Sequence, residues 1–140
     1  FRFEVPDQIA LGGVPETPQD VDFLVEQGIR SIVSLHPVPV EAHMRMDELG
    51  LRWRPLIVES FPRVPAGLGE TLEFVADALA RSPALYIHCR GGGGRSGMLL
   101  ACHYIQRGMS VDEALQKAPG VKSDSQIAFV QGFACGLETL

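Results

Sequence analysis

Apolar and polar positions alternate along this chain in two periods, and the changes between them mark out short strands and longer helices. Residues 9–11 form a brief apolar run closed by Gly12-Gly13, the pattern of a strand followed by a turn. Thr17-Pro18-Gln19-Asp20 predicts a helix start. Thr17 can cap the first turn, Pro18 suits it, and Asp20 sets negative charge against the helix dipole. Val21, Leu24 and Val25 make the stripe this helix buries, and Gly28 ends it. Residues 29–35 are β-rich and predict a buried strand, 41–49 predict a helix closed by Gly50, and 51–58 predict a strand containing Trp53. Residues 59–69 hold two prolines and two glycines and read as a loop long enough to carry function.

Leu68, Leu72, Val75, Ala76 and Leu79 recur at helical spacing and predict a helix over about 68–81. Residues 84–88 are a short strand, apolar on both faces, which predicts a central place in a sheet. Residues 95–107 read as the next helix, ended by Gly108. Ser110-x-x-Glu113 and Ser123-x-x-Gln126 look like capping boxes that open two final helices. Strands alternating with helices, then helices alone, predict an α/β fold: a central, mostly parallel sheet flanked by helices in three layers. The whole of 1–140 is expected to form one domain, since no repeat, low-complexity tract or linker interrupts it.

The chemistry concentrates in His88-Cys89-Arg90-Gly91-Gly92-Gly93-Gly94-Arg95-Ser96-Gly97, between a predicted strand and a predicted helix. Glycine in ordered structure costs about 0.5–1 kcal/mol relative to alanine, so four in a row point to unusual backbone angles or close approach to a ligand. Such a loop turns its N–H groups inward as an anion nest, and the following helix adds its own N–H groups and dipole. Cys89 would lie at the floor of this nest. The same field favours a thiolate, lowering the thiol pKa from about 8.5 towards the roughly 3.5–7.5 range of activated cysteines. Arg95 closes the loop six residues after Cys89. Its guanidinium can grip two equatorial phosphoryl oxygens in parallel, where charge spreads during phosphoryl transfer. Arg90 and Gly91, Gly92, Gly93 and Gly94 would supply the remaining phosphate contacts. Ser96 can donate to the Cys89 sulfur and help it leave, while His88 is expected to order the loop through ring hydrogen bonds.

His-Cys-x5-Arg-Ser resembles the signature of the protein-tyrosine phosphatase superfamily, and the short chain resembles its compact dual-specificity branch. The opening Ile9-Ala10-Leu11-Gly12-Gly13-Val14-Pro15, then Leu24 and Gly28-Ile29-Arg30-Ser31-Ile32-Val33-Ser34-Leu35, are similar to that branch's opening strand, helix and strand. Gln126, near Phe129 and Val130, resembles a glutamine that some members place near the hydrolytic water. The resemblance implies phosphate-ester hydrolysis through a phosphocysteine, with no metal or organic cofactor. It also implies an aspartic acid about 30 residues before the cysteine, which protonates the leaving oxygen. Here no Asp lies between Asp47 and Asp77, and Ser60 stands at the expected place with Glu59 beside it. Glu59 is therefore the first candidate for general acid, Asp124 the second, and a mechanism without a protein acid the third.

Rival readings of the same stretch fit less well. Gly92-x-Gly94-x-x-Gly97 matches a dinucleotide fingerprint, but a further strand should follow its helix, and the tail from Gly108 reads as helices. A Walker A loop needs Gly-Lys-Ser/Thr, where this chain has Gly94-Arg95-Ser96. Sulfurtransferases commonly place four residues between Cys and Arg, one fewer than here. His36, His43 and His103 lack metal-ligand spacing and read as structural, as does Trp53. Cys102, on the helix after the loop, reads as a packed core thiol.

Composition narrows the partners. A formal net charge of -5 argues against general nucleic-acid or anionic-membrane binding, because no cationic excess displaces counterions. No apolar run reaches the roughly 18 residues of a membrane span. Three cysteines in 140 residues do not describe a disulfide framework, so a reducing, cytoplasmic setting is expected. The expected activity is a monomeric phosphatase for phosphotyrosine, with phosphoserine or phosphothreonine as further substrates, acting on protein or peptide. The alternatives are phosphoinositide or RNA 5′-phosphate hydrolysis, or a phosphate-binding module with impaired catalysis.

Overall fold

The computed structural model describes residues 1–5, 8–57, 66–81, 84–90, 94–118 and 120–138. Among the described residues five strands and six helices follow in the order β1 (Arg2–Val5), β2 (Ile9–Gly12), α1 (Pro18–Glu26), β3 (Ser31–Ser34), α2 (Val40–Glu48), β4 (Arg52–Pro55), α3 (Leu68–Arg81), β5 (Leu85–His88), α4 (Gly94–Gln106), α5 (Val111–Lys117) and α6 (Asp124–Glu138). The strands form one sheet in the order β1-β2-β5-β3-β4. β2, β5, β3 and β4 run parallel, and β1 is an antiparallel edge strand that the sequence reading did not anticipate. Its signal, Phe-Arg-Phe-Glu-Val, alternates as a half-buried edge strand does.

β5 is central because its residues are buried on both faces. Leu85 and Ile87 point to one face with Ile9, Leu11, Val33 and the apolar stripes of α3 and α4, while Tyr86 points to the other with Ala10, Ile32, Val21, Leu24, Ala42 and Met46. α1 and α2 thus cover one side of the sheet and α3–α6 the other, which is the three-layer arrangement expected. Strand β4 is shorter than the strand expected over 51–58, ending at Pro55. Its pairing with β3 continues one step further, as Leu56 N donates to Ser34 O at 2.8 Å.

Local chemistry sets the helix ends where the sequence placed them. Thr17 Oγ1 accepts from Asp20 N at 3.1 Å, and Asp20 Oδ2 accepts from Thr17 N at 3.1 Å and Glu16 N at 2.9 Å. Gly28 ends α1 at φ +95°, a left-handed angle open to glycine at little cost, and lets Ile29 N return to Leu24 O at 3.0 Å. The chain can then turn into β3. At the other sheet edge, Arg52 bridges to Asp77 on α3 at 2.7 Å and lies over the Phe74 ring at 4.9 Å, which fastens β4 beneath α3.

Candidate active site

All four parallel strands end at the same edge of the sheet, so their following residues converge there. Gly12 and Ser34 flank His88 in register, and Leu35 N donates to His88 O at 3.0 Å. β5 is therefore held from both sides up to the residue before Cys89. In an open parallel sheet this edge is where ligands bind, at the point where chain connections part in opposite directions. Cys89 leaves β5 at that point and is buried, only 3% exposed. Arg90 after it is exposed, and Gly94 opens α4 with Arg95 half-buried and Ser96 fully buried. Gly91, Gly92 and Gly93 lie outside the described residues, as does Glu59.

Arg95 borders a small apolar cavity otherwise lined by Leu35, Leu56, Leu68, Met98, Leu99 and Phe129. Among the described residues no carboxylate pairs with it. A guanidinium packed through its stem and left without an acidic partner is suited to receive an anion. Ser96 Oγ is likewise buried with no hydrogen-bond partner among the described residues. Leaving a buried hydroxyl unsatisfied costs about 1–3 kcal/mol, so an uncommitted donor at this position is consistent with a charged partner arriving there. Among the described residues the expected bond from Ser96 Oγ to the Cys89 sulfur is not formed.

His88 is the best-defined polar group of the site. Its Nε2 lies 2.6 Å from Ser34 Oγ, and Trp53 Nε1 donates to the same oxygen at 2.8 Å. Its expected role in ordering the loop thus takes a different form, since the ring's bond runs sideways to β3. Burial, and after it the neighbouring His36, lowers the His88 pKa to about 4, so the ring is neutral at pH 7 and has no proton to spare as an acid. Tyr86, two residues earlier, donates to Gly13 O at 2.6 Å. Burial raises its pKa well above the ordinary phenol range, and charge on Cys89 and then Asp20 raises it further. Tyr86 is a neutral prop for the loop after β2.

Gln126 reaches the site from α6. Its Oε1 accepts from Lys122 N at 2.9 Å and Ser123 N at 3.1 Å, completing the capping box, while its Nε2 rests against Gly94. Asp124 sits two residues earlier with its side chain exposed. Between β4 and α3, Arg54 donates to Thr71 Oγ1 at 3.2 Å, and Thr71 Oγ1 donates to Gly67 O at 2.9 Å. This clasp fixes the far end of the connection that contains Glu59. Sequence reasoning missed Ser34, Arg54 and the functional side of Trp53. The available signal was the serines at both ends of β3 and the arginines on either side of Trp53 in β4. Among the described residues no cluster of three or more His, Cys, Asp or Glu is placed to hold a metal ion.

Comparison with known proteins settles the family. Residues 1–137 match the family described as Swiss Army Knife protein, DSP-PTPase phosphatase domain. The chain belongs to this phosphatase family. As a phosphatase domain it is 27% identical over 123 residues to the phosphatidylglycerophosphate phosphatase PTPMT1 of Arabidopsis thaliana, covering 81% of this chain. The chain spans only 35% of the length of that relative. Among solved structures, PTPMT1 in complex with PI(5)P superposes with a TM-score of 0.77 at 18% identity, covering 99% of this phosphatase domain and 96% of that chain. Tk-PTP in its active form gives 0.75 at 23% identity, covering 95% of each chain. These likenesses bear out the compact dual-specificity type of fold that the signature implied.

Proposed function

We propose that the domain hydrolyses phosphate monoesters of lipid headgroups through a phosphocysteine at Cys89. The Cys89 thiolate attacks phosphorus as the ester oxygen departs, forming a sulfur–phosphorus bond and breaking the oxygen–phosphorus bond. Arg95 and the loop N–H groups that begin at Arg90 and end at Gly94 hold the equatorial oxygens. Water then attacks the phosphocysteine, the thiolate leaves, with Ser96 assigned to donate to it, and inorganic phosphate is released. Glu59 is assigned to protonate the leaving oxygen, with Asp124 as the alternative carboxylate.

The observation that carries the lipid reading is exposed apolar residues in the connections that leave the C-terminal ends of β3 and β4. Val40 is 68% exposed, Met44 57% and Ile57 39%. Val40 and Ile57 follow the C-terminal ends of β3 and β4, the edge that carries Cys89. Large apolar side chains left in water on the connections that leave that edge suit a substrate whose phosphate sits at an apolar boundary. The Arabidopsis relative's name supports the same class. Among the described residues no helix is long and apolar enough to cross a membrane.

A second reading is favoured by the missing Asp. Phenolic leaving groups need less protonation than alkoxides, so phosphotyrosine in a protein would suffer least from a weak acid. Turnover is to be compared on phosphatidylglycerophosphate vesicles and on a phosphotyrosine peptide at equal phosphate concentration. The lipid reading expects kcat/KM at least tenfold higher on vesicles, falling when Val40 and Ile57 are changed to Ser. Equal or better turnover of the peptide removes the lipid preference and leaves the phosphotyrosine reading standing.

A further inference from the structure

A groove runs between α3 and the end of α4, away from the phosphate loop. It encloses about 430 Å³ and is lined by Ala76, Leu79 and Ala80 of α3 and by His103, Tyr104 and Arg107 at the end of α4. At 1.5 Å per helical residue, His103 and Arg107 lie about 12 and about 18 Å along the axis from Arg95, so the groove is separate from the phosphate site. Its α3 wall is apolar. Asp77, the acidic residue between Ala76 and Leu79, is committed to Arg52 at 2.7 Å and to Arg81 at 3.1 Å. On the other wall Arg107 N donates to His103 O at 3.1 Å, which sets the two side chains one turn apart on the same face. Among the described residues no carboxylate pairs with Arg107. His103 is 6% exposed, and its Nδ1 is buried without a hydrogen-bond partner. Burial, and after it the Arg107 charge, lowers its pKa, so the ring is neutral at pH 7 and carries one proton. Among buried main-chain groups an orphaned N–H is rarer than an orphaned acceptor, and the same preference puts the His103 proton on Nε2. That nitrogen is not closed off as Nδ1 is, and it makes His103 a neutral N–H donor at the groove.

We propose that this groove binds a carboxylate with an apolar body, such as a medium-chain fatty acid, with Arg107 gripping the carboxylate, His103 donating to it and the hydrocarbon lying along Ala76, Leu79 and Ala80. The charge of the ligand follows from the site. Arg107 directly follows the last turn of α4, where the helix carbonyls present partial negative charge. One guanidinium offset by that dipole suits a single negative charge, and its planar fork matches a carboxylate. A phosphate dianion needs the further N–H donors that the glycine loop offers and this groove lacks. The proposal does not depend on Cys89 being the nucleophile.

The test is titration of isotope-labelled protein with sodium octanoate at pH 7, followed through backbone amide chemical shifts. Octanoate should shift the amides of residues 76–80 and 103–107 with a Kd on the order of 1 mM, the affinity open to so small a ligand. Octanol, with the same chain and no charge, and inorganic phosphate should leave those amides in place. Arg107→Ala should weaken octanoate binding by about tenfold. Ala80→Trp changes an exposed position and fills the groove with a ring, so it should abolish binding. Neither residue belongs to the phosphate site, and turnover of an aryl phosphate should be the same in both variants as in the parent, which also shows that they fold. Amides of both segments that stay unshifted well above this concentration overturn the proposal. Shifts that survive Ala80→Trp or Arg107→Ala overturn it too, because the ligand then lies elsewhere, and so does an equal response to octanol. Shifts confined to Arg90 and Gly94 overturn this site and leave the phosphatase reading intact.

Discussion

Replacing Gly94 with Ala tests how tightly the end of the phosphate loop is fitted to α6. A Cβ on Gly94 would collide with Gln126 Nε2, with Gln126 Cδ at 3.4 Å and Gly120 O at 3.9 Å close behind. Gly94 is not at a left-handed angle, so the backbone itself would accept Ala there. The difficulty lies wholly in Gln126. Its carboxamide is planar, and Oε1 is held by Lys122 N and Ser123 N. Moving Nε2 away rotates Oε1 off both donors. Two such bonds are worth about 1–3 kcal/mol together, while Ala in place of Gly in a helix returns up to about 1 kcal/mol. Gly94→Ala should therefore cost about 0–2 kcal/mol. In a Gln126→Ala background the obstacle and the bonds are already gone, so the same change should be neutral or stabilising by up to about 1 kcal/mol. Urea denaturation of the four proteins, followed by circular dichroism, gives the coupling directly. We expect about 1–3 kcal/mol, where independent sites would add to within about 0.5 kcal/mol. Additive effects would refute the reasoning, because they would mean that Gly94 is not there to make room for Gln126.

Other outcomes follow from single groups. Folded His88 has a pKa of about 4 against 6.5 in the unfolded chain, so its neutral burial supports stability fully above pH 6.5 and loses it as pH falls towards 4. The loss should reach about 3 kcal/mol, read as a drop in urea midpoint between pH 7.5 and 4 that His88→Gln removes. Arg95→Lys keeps the charge but loses the two-pronged grip, and kcat/KM should fall by about 10²–10³-fold; unchanged turnover would remove Arg95 from the phosphate site. Burial pushes the Cys102 thiol up to about 12, so brief alkylation at pH 7 should leave it unlabelled in the folded protein, as mass spectrometry of tryptic peptides can show.

The sequence disclosed what depends on neighbours in the chain. Helix starts at Thr17 and Ser123 and the stop at Gly28 are local hydrogen-bonding problems with few solutions, and each was legible. So was the central place of β5, because apolar residues on both faces leave a strand nowhere else to go. What stayed hidden depends on pairs brought together by the fold. Ser34 and Trp53 lie 19 positions apart, and Ser34 and His88 lie 54 apart. Nothing in the sequence said that β3 would stand between β4 and β5, and only that order puts the three side chains in a row. Trp53 reads as structural from the sequence and is half-buried, but its nitrogen needs a partner that only the sheet order reveals. Edge strand β1 escaped although Phe1, Phe3 and Val5 alternate with Arg2 and Glu4, the period of a strand.

The identity of the leaving group and the role of Glu59 are not independent questions. A phenol has a pKa of about 10, and an alkoxide of the kind released from a glycerol phosphate is several units more basic. Positioned general acids contribute about 10²–10⁴-fold, and nearly all of that is needed when an alkoxide departs. A domain that hydrolyses lipid headgroup phosphates must therefore supply an acid, whereas one limited to phosphotyrosine can work without it. The chain lacks the usual Asp, so the lipid reading commits it to Glu59 or Asp124. Substrate preference and acid mutation must then vary together. If vesicles are the better substrate, Glu59→Gln should depress turnover of the lipid by 10²-fold or more and of an aryl phosphate far less. Loss of activity on both substrates alike would point to a structural effect of the change. Lipid turnover that survives both Glu59→Gln and Asp124→Asn would mean that neither carboxylate carries the proton, and that the leaving oxygen takes it from water or from the substrate's own hydroxyl.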